Sequence, residues 1–288
     1  MVVHGGRLVF QWGDLALKSS VASVRKSLLS VLYGIYLSEG RISLNATLEE
    51  LDIDDVECLT PRERQATVAD LLKARSGVYH PSVYDTARDR PPRGAHAPGS
   101  FWFYNNWDFN VLGTIFERQT GETIFDALAS RIAIPLQMQD FLREDGHYQD
   151  GRESRHPVYK LRLSARDLAR IGLLYLHGGR WGENRIVPDD WVRESTRAQS
   201  DLGGGRGYGY LWWTAEANAP GDSMSVSEPM FYASGFGGQY IIVVPALDLV
   251  VVHRAARVDH GISHARMGEI LRVVVVAAAR GELEQANA

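Results

Sequence analysis

The sequence predicts an α/β (α+β) protein: an antiparallel sheet flanked by helices, built from both chain ends, with a mainly helical domain inserted between them. Three observations predict it. β-rich runs cluster at the two ends, in "VVHGGRLVF" and again from Gly207 onward. The middle carries apolar residues at helical spacing between capping residues and glycine stops. The last two β-rich runs, "GQYIIVVP" and "LDLVVVHRAA", are joined by a tight turn through Pro245 and Asp248. The expected division is residues 1–45 and 200–288 for the sheet domain and 46–199 for the mainly helical domain.

Each element has a local reason. "MVVHGGRLVFQWGD" reads as a hairpin, with a short strand, a turn at Gly5-Gly6 and a second strand from Arg7 to Trp12. Between Ser20 and Gly40, "SVASVRKSLLSVLYGIYLSEG" carries Leu28, Leu29, Leu32, Ile35 and Tyr36 at helical spacing, so it reads as an amphipathic helix stopped by Gly40. "ISLNATLEELDIDD" is an irregular polar connection. "TPRERQATVADLLKARSG" reads as a helix entered through Thr60-Pro61 and ending at Gly77. "HPSVYDTARDRPPRGAHAPGS" holds four prolines and reads as a long surface loop, a kind that is usually functional or mobile.

Helices follow in "WDFNVLGTIFERQTG", "TIFDALASRIAIPL", "SARDLARIGLLYLHGGRW" and "PDDWVRESTR", with Ser164 as a cap, Gly178-Gly179 as a stop and Pro188 as an entry. "YGYLWW" reads as a strand, and a final helix is expected from about Ala265 to Arg280.

Composition excludes several classes. A chain of 288 residues, 45% hydrophobic, can bury a sizeable core. A net charge of −4 gives no electrostatic case for nucleic acid or an anionic membrane. The run "VVVVAAA", Val273 to Ala279, is far too short to span a bilayer. Cys58 is the only cysteine, so no intrachain disulfide forms. The opening residues lack the basic and apolar regions of a signal peptide, which places the chain in the cytoplasm as it stands. A chain that opens in mid-strand points to a missing upstream segment, so the localisation stays open.

One detail of the first helix is chemical. Lys26 lies one turn after Ser23, where the polar start of the helix meets its apolar body, and lysine occurs only four times in the chain. With 20 serines and 4 lysines, chance gives roughly 0.3 Ser-x-x-Lys matches, so the pair alone reads as a capping hydroxyl and a solvated lysine. "FWFYNNWDF" adds Tyr104 and Asn106 in the one Tyr-x-Asn of the sequence, just before a helix. "YASGFGGQYIIVVP" adds Ser234, Gly235 and Phe236 in a glycine-rich turn feeding a strand. Singly, these are a turn with a core aromatic and a hairpin glycine cluster.

In this order and spacing, the three motifs resemble the serine β-lactamase and penicillin-binding-protein superfamily. The nearest branch is that of the class C β-lactamases with their esterase and nylon-oligomer-hydrolase relatives. The resemblance covers nearly the whole chain and implies a β-lactamase/transpeptidase-like fold with the motifs meeting at a domain interface. It implies that Ser23 is the nucleophile, Lys26 its base and Tyr104 a proton relay, with Asn106 orienting Lys26. Ser234, Gly235 and Phe236 would form the supporting and substrate-binding wall. The resemblance implies an N-terminal helix beside the last helix that the sequence does not supply, so an exposed apolar patch is expected on that outer face, covered by a partner chain or leaving the protein only marginally stable, and a homo-oligomer is one expected form.

The residue types suit that chemistry. A serine hydroxyl needs a nearby base, and a lysine partly buried by an apolar helix can be a free amine. A tyrosine can hand a proton to a leaving group. The Ser23 N–H at a helix start and the Phe236 N–H are donors suited to a developing oxyanion.

One departure bears on the substrate. The family's third motif usually carries a cation for a substrate carboxylate, and Ala233 supplies none. The expected activity is therefore a cofactor-free, metal-free serine hydrolase forming an acyl-enzyme on Ser23 and cleaving small esters or amides. A class C-like β-lactamase or D-alanyl-D-alanine peptidase is the alternative, and a catalytically silent binding protein on the same fold is another. Trp102, Tyr208, Trp212 and Trp213 are candidates for a substrate pocket or for ordinary core. His260 and His264 have the i, i+4 spacing of a metal pair, although without further ligands they read as surface histidines. No Gly-x-Ser-x-Gly, Gly-Lys or His-Glu-x-x-His occurs, which removes the α/β-hydrolase elbow, the P-loop and the zincin.

Overall fold

Val2 and Val3 are buried although they open the chain, because the first strand is completed by the last one. The computed structural model describes residues 1–85, 89–257 and 261–281. Strand β1 (Val2–His4) turns through Gly5 and Gly6, both at positive φ, into β2 (Arg7–Phe10). A short β3 (Ser19–Ser20) leads to helix α1 (Val24–Ser38). Every residue of α1 from Val24 to Tyr36 is buried, so it is buried all round where its pattern predicts an amphipathic helix.

The stretch expected as one helix up to Gly77 is broken. A 3₁₀ turn covers Glu63–Gln65 and α2 only Val68–Leu72. The reason is local: Thr67 and Asp70 form a reciprocal capping box, which starts a new helix where the pattern alone ran on. Then come α3 (Asn106–Thr120), α4 (Ile124–Leu128) and a hairpin of β4 (Gly146–Gln149) with β5 (Val158–Leu163) that the sequence reading missed.

Helix α5 (Ala165–Leu176) starts at Ser164, whose side chain accepts from the Asp167 N–H. It is followed by β6 (Arg180–Trp181), β7 (Asn184–Arg185), α6 (Asp189–Ser195) and β8 (Ser200–Asp201). "YGYLWW" is a hairpin and not one strand. β9 (Arg206–Tyr208) and β10 (Trp213–Ala215) pair antiparallel, with Leu211 at φ 65° in the turn. The chain closes with β11 (Met230–Gly235), β12 (Gln239–Val244), β13 (Leu249–His253) and α7 (His264–Ala279).

The main sheet has the order β2-β1-β13-β12-β11-β10-β9-β8, every neighbour antiparallel, so its strands come from both chain ends. One face packs on α1 and α5. Gly172 of α5 lies so close to the sheet that a Cβ there would be 2.5 Å from Val250 Cγ1. The other face packs on α7 through Met267, Leu271 and Val275. The opposite side of α7 exposes Ile270, Val273 and Val276, and β2 exposes Leu8 and Phe10 at the sheet edge. Among the described residues no helix is long and apolar enough to cross a membrane.

Candidate active site

Ser23 is held from two directions. The strand before it pairs with β5, Ser19 opposite Leu163, and the Val21 N–H continues to Leu161 O at 3.1 Å. Ala22 then takes a left-handed φ of 47°, which turns the chain sharply into α1. From the other side the end of β11 presses in. A Cβ on Gly235 would lie 2.5 Å from Val21 O and 3.2 Å from Ser23 N, so only glycine fits there. The first glycine of the third motif thus lets the sheet touch the serine's backbone.

Ser23 occupies the N-cap position of α1, yet its side chain makes no capping bond. Its Oγ instead meets Lys26 Nζ at 2.9 Å. The solvated-lysine reading therefore fails: Lys26 is only 2% exposed. The same Nζ lies 2.6 Å from Tyr104 OH and 2.8 Å from Asn106 Oδ1. Residues from the first two motifs, far apart in the chain, share one amine.

Electrostatics set the protons. Burial, and then the charge of adjacent Arg25, hold the Lys26 amine well below its ordinary value. Burial pushes the Tyr104 phenol up, offset only in part by the Ser23 hydroxyl and Arg25. Both shifts favour the uncharged amine and the uncharged phenol over ammonium and phenolate. A neutral amine has two N–H groups and one lone pair. Asn106 Oδ1 can only accept, so it takes one N–H. The other N–H and the lone pair face the two hydroxyls, either of which can donate to nitrogen.

The Asn106 amide has a reason to point this way. Its Nδ2 donates to Tyr84 O at 2.9 Å, leaving Oδ1 for Lys26. One helical turn on, Asn110 Nδ2 donates to Val83 O at 3.1 Å. These i, i+4 asparagines of α3 tie down the proline-rich loop, and that spacing was the available signal for a role the sequence reading did not assign. Asn105 caps α3 through the Trp107 N–H and donates to Val78 O at 2.7 Å.

A cleft of about 500 Å³ opens over Ser23, walled by Tyr104 and Trp213 on one side and by Ser234, Gly235 and Phe236 on the other. Tyr104 stacks on Trp213 with ring centroids 5.5 Å apart. The Phe236 side chain is exposed. The Ser23 N–H takes no hydrogen bond among the described residues.

The other aromatics divide. Trp213 lines the cleft, whereas Tyr208 and Trp212 are buried, Trp212 against Tyr175 and Phe231. Ala233 is fully buried and presents nothing to the cleft. His264 also lines the cleft, and among the described residues no metal-binding group of His, Cys, Asp or Glu is found. His260 lies outside the described residues.

The fold recurs in solved structures. A protein designated a 6-aminohexanoate-dimer hydrolase from Bacillus anthracis superposes with a TM-score of 0.73 at 20% identity, over 98% of this chain and 79% of its own. A class C β-lactamase from Rhodobacter sphaeroides gives 0.70 at 20% identity, over 96% of this chain and 93% of its own. An octameric penicillin-binding protein homologue from Pyrococcus abyssi gives 0.68 at 19% identity, over 97% and 72%. The Beta-lactamase family model matches residues 1–262. With residues of its first two motifs sharing one buried amine, the third against the Ser23 backbone and most of its length matched, this chain belongs to the β-lactamase family.

Proposed function

We propose that the protein is a serine hydrolase that forms an acyl-enzyme on Ser23. The observation that carries this reading is a buried amine, its proton affinity lowered by that burial, 2.9 Å from a serine hydroxyl in a cleft. Ser23 Oγ attacks the substrate carbonyl carbon while its proton passes to the Lys26 lone pair. The oxyanion is received by the N–H groups of Ser23 and Phe236. As the tetrahedral species collapses, Tyr104 gives its proton to the departing alkoxide or amine and is reprotonated from Lys26. Water then enters, loses a proton to the same pair and releases the acid from Ser23.

Small esters or amides fit best, because Ala233 is buried and supplies no cation for the carboxylate of a penicillin or cephalosporin. A lost charge-assisted hydrogen bond is worth roughly 1.5–3 kcal/mol, or about one to two decades in kcat/KM. The test is a pair of kcat/KM values on a short-chain p-nitrophenyl ester and on a penicillin. Faster ester turnover supports the assignment. Preference for the β-lactam would move it to the β-lactamase alternative, and no turnover of either would favour a silent binding protein.

A further inference from the structure

At the far end of α1 from Ser23 lies a second cavity of about 360 Å³, sharing no lining residue with the cleft. Helix rise puts it roughly 15–20 Å from the serine. Its wall is fixed by packing. Trp191 of α6 fits a notch left by Gly34, where a Cβ would lie 2.1 Å from Trp191 Cδ1. The Trp191 Nε1 donates to Ser30 O at 2.9 Å, and Tyr210 stacks on the indole with ring centroids 5.2 Å apart. Leu37, Leu44 and Pro188 add apolar surface. The charged groups at the cavity are of one sign. Asp190 and Glu194, one turn apart on α6, line it, and among the described residues no lysine or arginine does. Asp190 enters no ion pair among the described residues and accepts the Trp191 N–H at 2.8 Å. Glu194 meets Arg197 and Gln199 through Oε2, which leaves Oε1 over. Helix α1 ends at this cavity with no basic residue in its last turn, so its dipole adds to the negative field. Tyr210 is an independent sign of a ligand. It lines the cavity and is only 9% exposed, yet no described residue hydrogen-bonds its hydroxyl.

We propose that this cavity binds a small organic monocation, a primary ammonium carried on an apolar body. Glu194 Oε1, the Asp190 carboxylate and the Tyr210 hydroxyl supply three acceptors for the three N–H groups of an ammonium. The apolar body rests on Trp191, Leu37 and Leu44. An anion meets two carboxylates there, and an uncharged ligand leaves both without a counter-charge. Among ligands that share one body, the ammonium therefore binds best. The proposal is independent of the hydrolase reading, since neither Ser23, Lys26 nor Tyr104 lines this cavity.

Calorimetry at about pH 7 tests this with phenethylamine, 2-phenylethanol and phenylacetate, which share a body and differ in charge. Phenethylamine should bind about tenfold more tightly than the alcohol, the difference between a charge-assisted and a neutral hydrogen bond, and phenylacetate should bind most weakly. Asp190→Asn combined with Glu194→Gln should bring the amine down to the alcohol's affinity while the thermal midpoint hardly moves. Tyr210→Phe keeps the stack on Trp191 and removes only the hydroxyl, so amine affinity should fall about 2–10-fold. Equal affinity for amine and alcohol, or no saturable binding of the amine, would overturn the proposal. An amine preference that survives in the double variant, or an unchanged amine affinity in Tyr210→Phe, would overturn it too. Ester turnover by the unmodified enzyme decides the hydrolase reading separately.

Discussion

Replacing Lys26 by methionine should change how stability depends on pH, and by a calculable amount. Lys26 is fully enclosed, and burial followed by the charge of Arg25 lowers its proton affinity well below the ordinary lysine value. Between the depressed folded value and the unfolded one, the unfolded chain holds one more proton than the native protein. Wild-type unfolding free energy therefore rises with pH through that window, by about 1.4 kcal/mol per pH unit for one proton. Below the folded value the proton is bound in both states and the slope vanishes. Methionine keeps the volume and the stem but cannot titrate. It also leaves Asn106 Oδ1 without its amine, a loss of about 1–3 kcal/mol that does not depend on pH. Urea unfolding at several points just below the ordinary lysine value isolates the slope, because every other titrating group is common to both proteins. The wild-type minus variant difference should climb by about 1.4 kcal/mol for each pH unit. A difference that stays flat would mean that Lys26 is an ordinary ammonium in the folded protein, and the argument for it as the base would fall.

Three further outcomes follow from the same geometry. Tyr104→Phe keeps the stack on Trp213 and removes the hydroxyl at Lys26, so acylation should fall roughly 10²–10⁴-fold while the thermal midpoint hardly moves, as read by stopped-flow and calorimetry. Asn106→Leu loses the bonds to Lys26 and to Tyr84 O together and should cost about 1–3 kcal/mol in urea unfolding as well as slowing acylation. Gly235→Ala places a Cβ 2.5 Å from Val21 O and should destabilise by about 1–3 kcal/mol while slowing acylation, because the strain falls on the residues that hold Ser23.

What could be read in advance was what depends on local spacing. Ser23 and Lys26 are one helical turn apart, so their meeting follows from helix geometry once the helix is recognised. The Gly5-Gly6 hairpin, the Ser164 cap and the turn before Asp248 are likewise properties of a few adjacent residues. Tyr104 and Asn106 needed the order of the motifs, since nothing near them in the chain says that they will share an amine with Lys26. The errors are of two kinds. The Thr60-Pro61 entry predicts one helix to Gly77, but it starts only a 3₁₀ turn, and the Thr67–Asp70 box restarts the backbone as a separate helix. The β4–β5 pair is hard to read because its strands are separated by a long polar stretch, in which the Asp150-Gly151 turn signal does not by itself join Gly146–Gln149 to Val158–Leu163. The facing of the aromatics lay out of reach for a third reason. Trp212 and Trp213 are neighbours on an irregular turn and strand start, and only the fold decides that one enters the core and the other the cleft.

The central claim is that Ser23 is a nucleophile activated by Lys26. The most direct measurement is intact mass after incubation with a fluorophosphonate, followed by peptide mapping. The account predicts one adduct per chain on Ser23, none on Ser23→Ala, and labelling of Lys26→Met slowed by roughly 10²–10⁴-fold. Equal labelling of Ser23→Ala, or no adduct on wild type under conditions that label a known serine hydrolase, would contradict it.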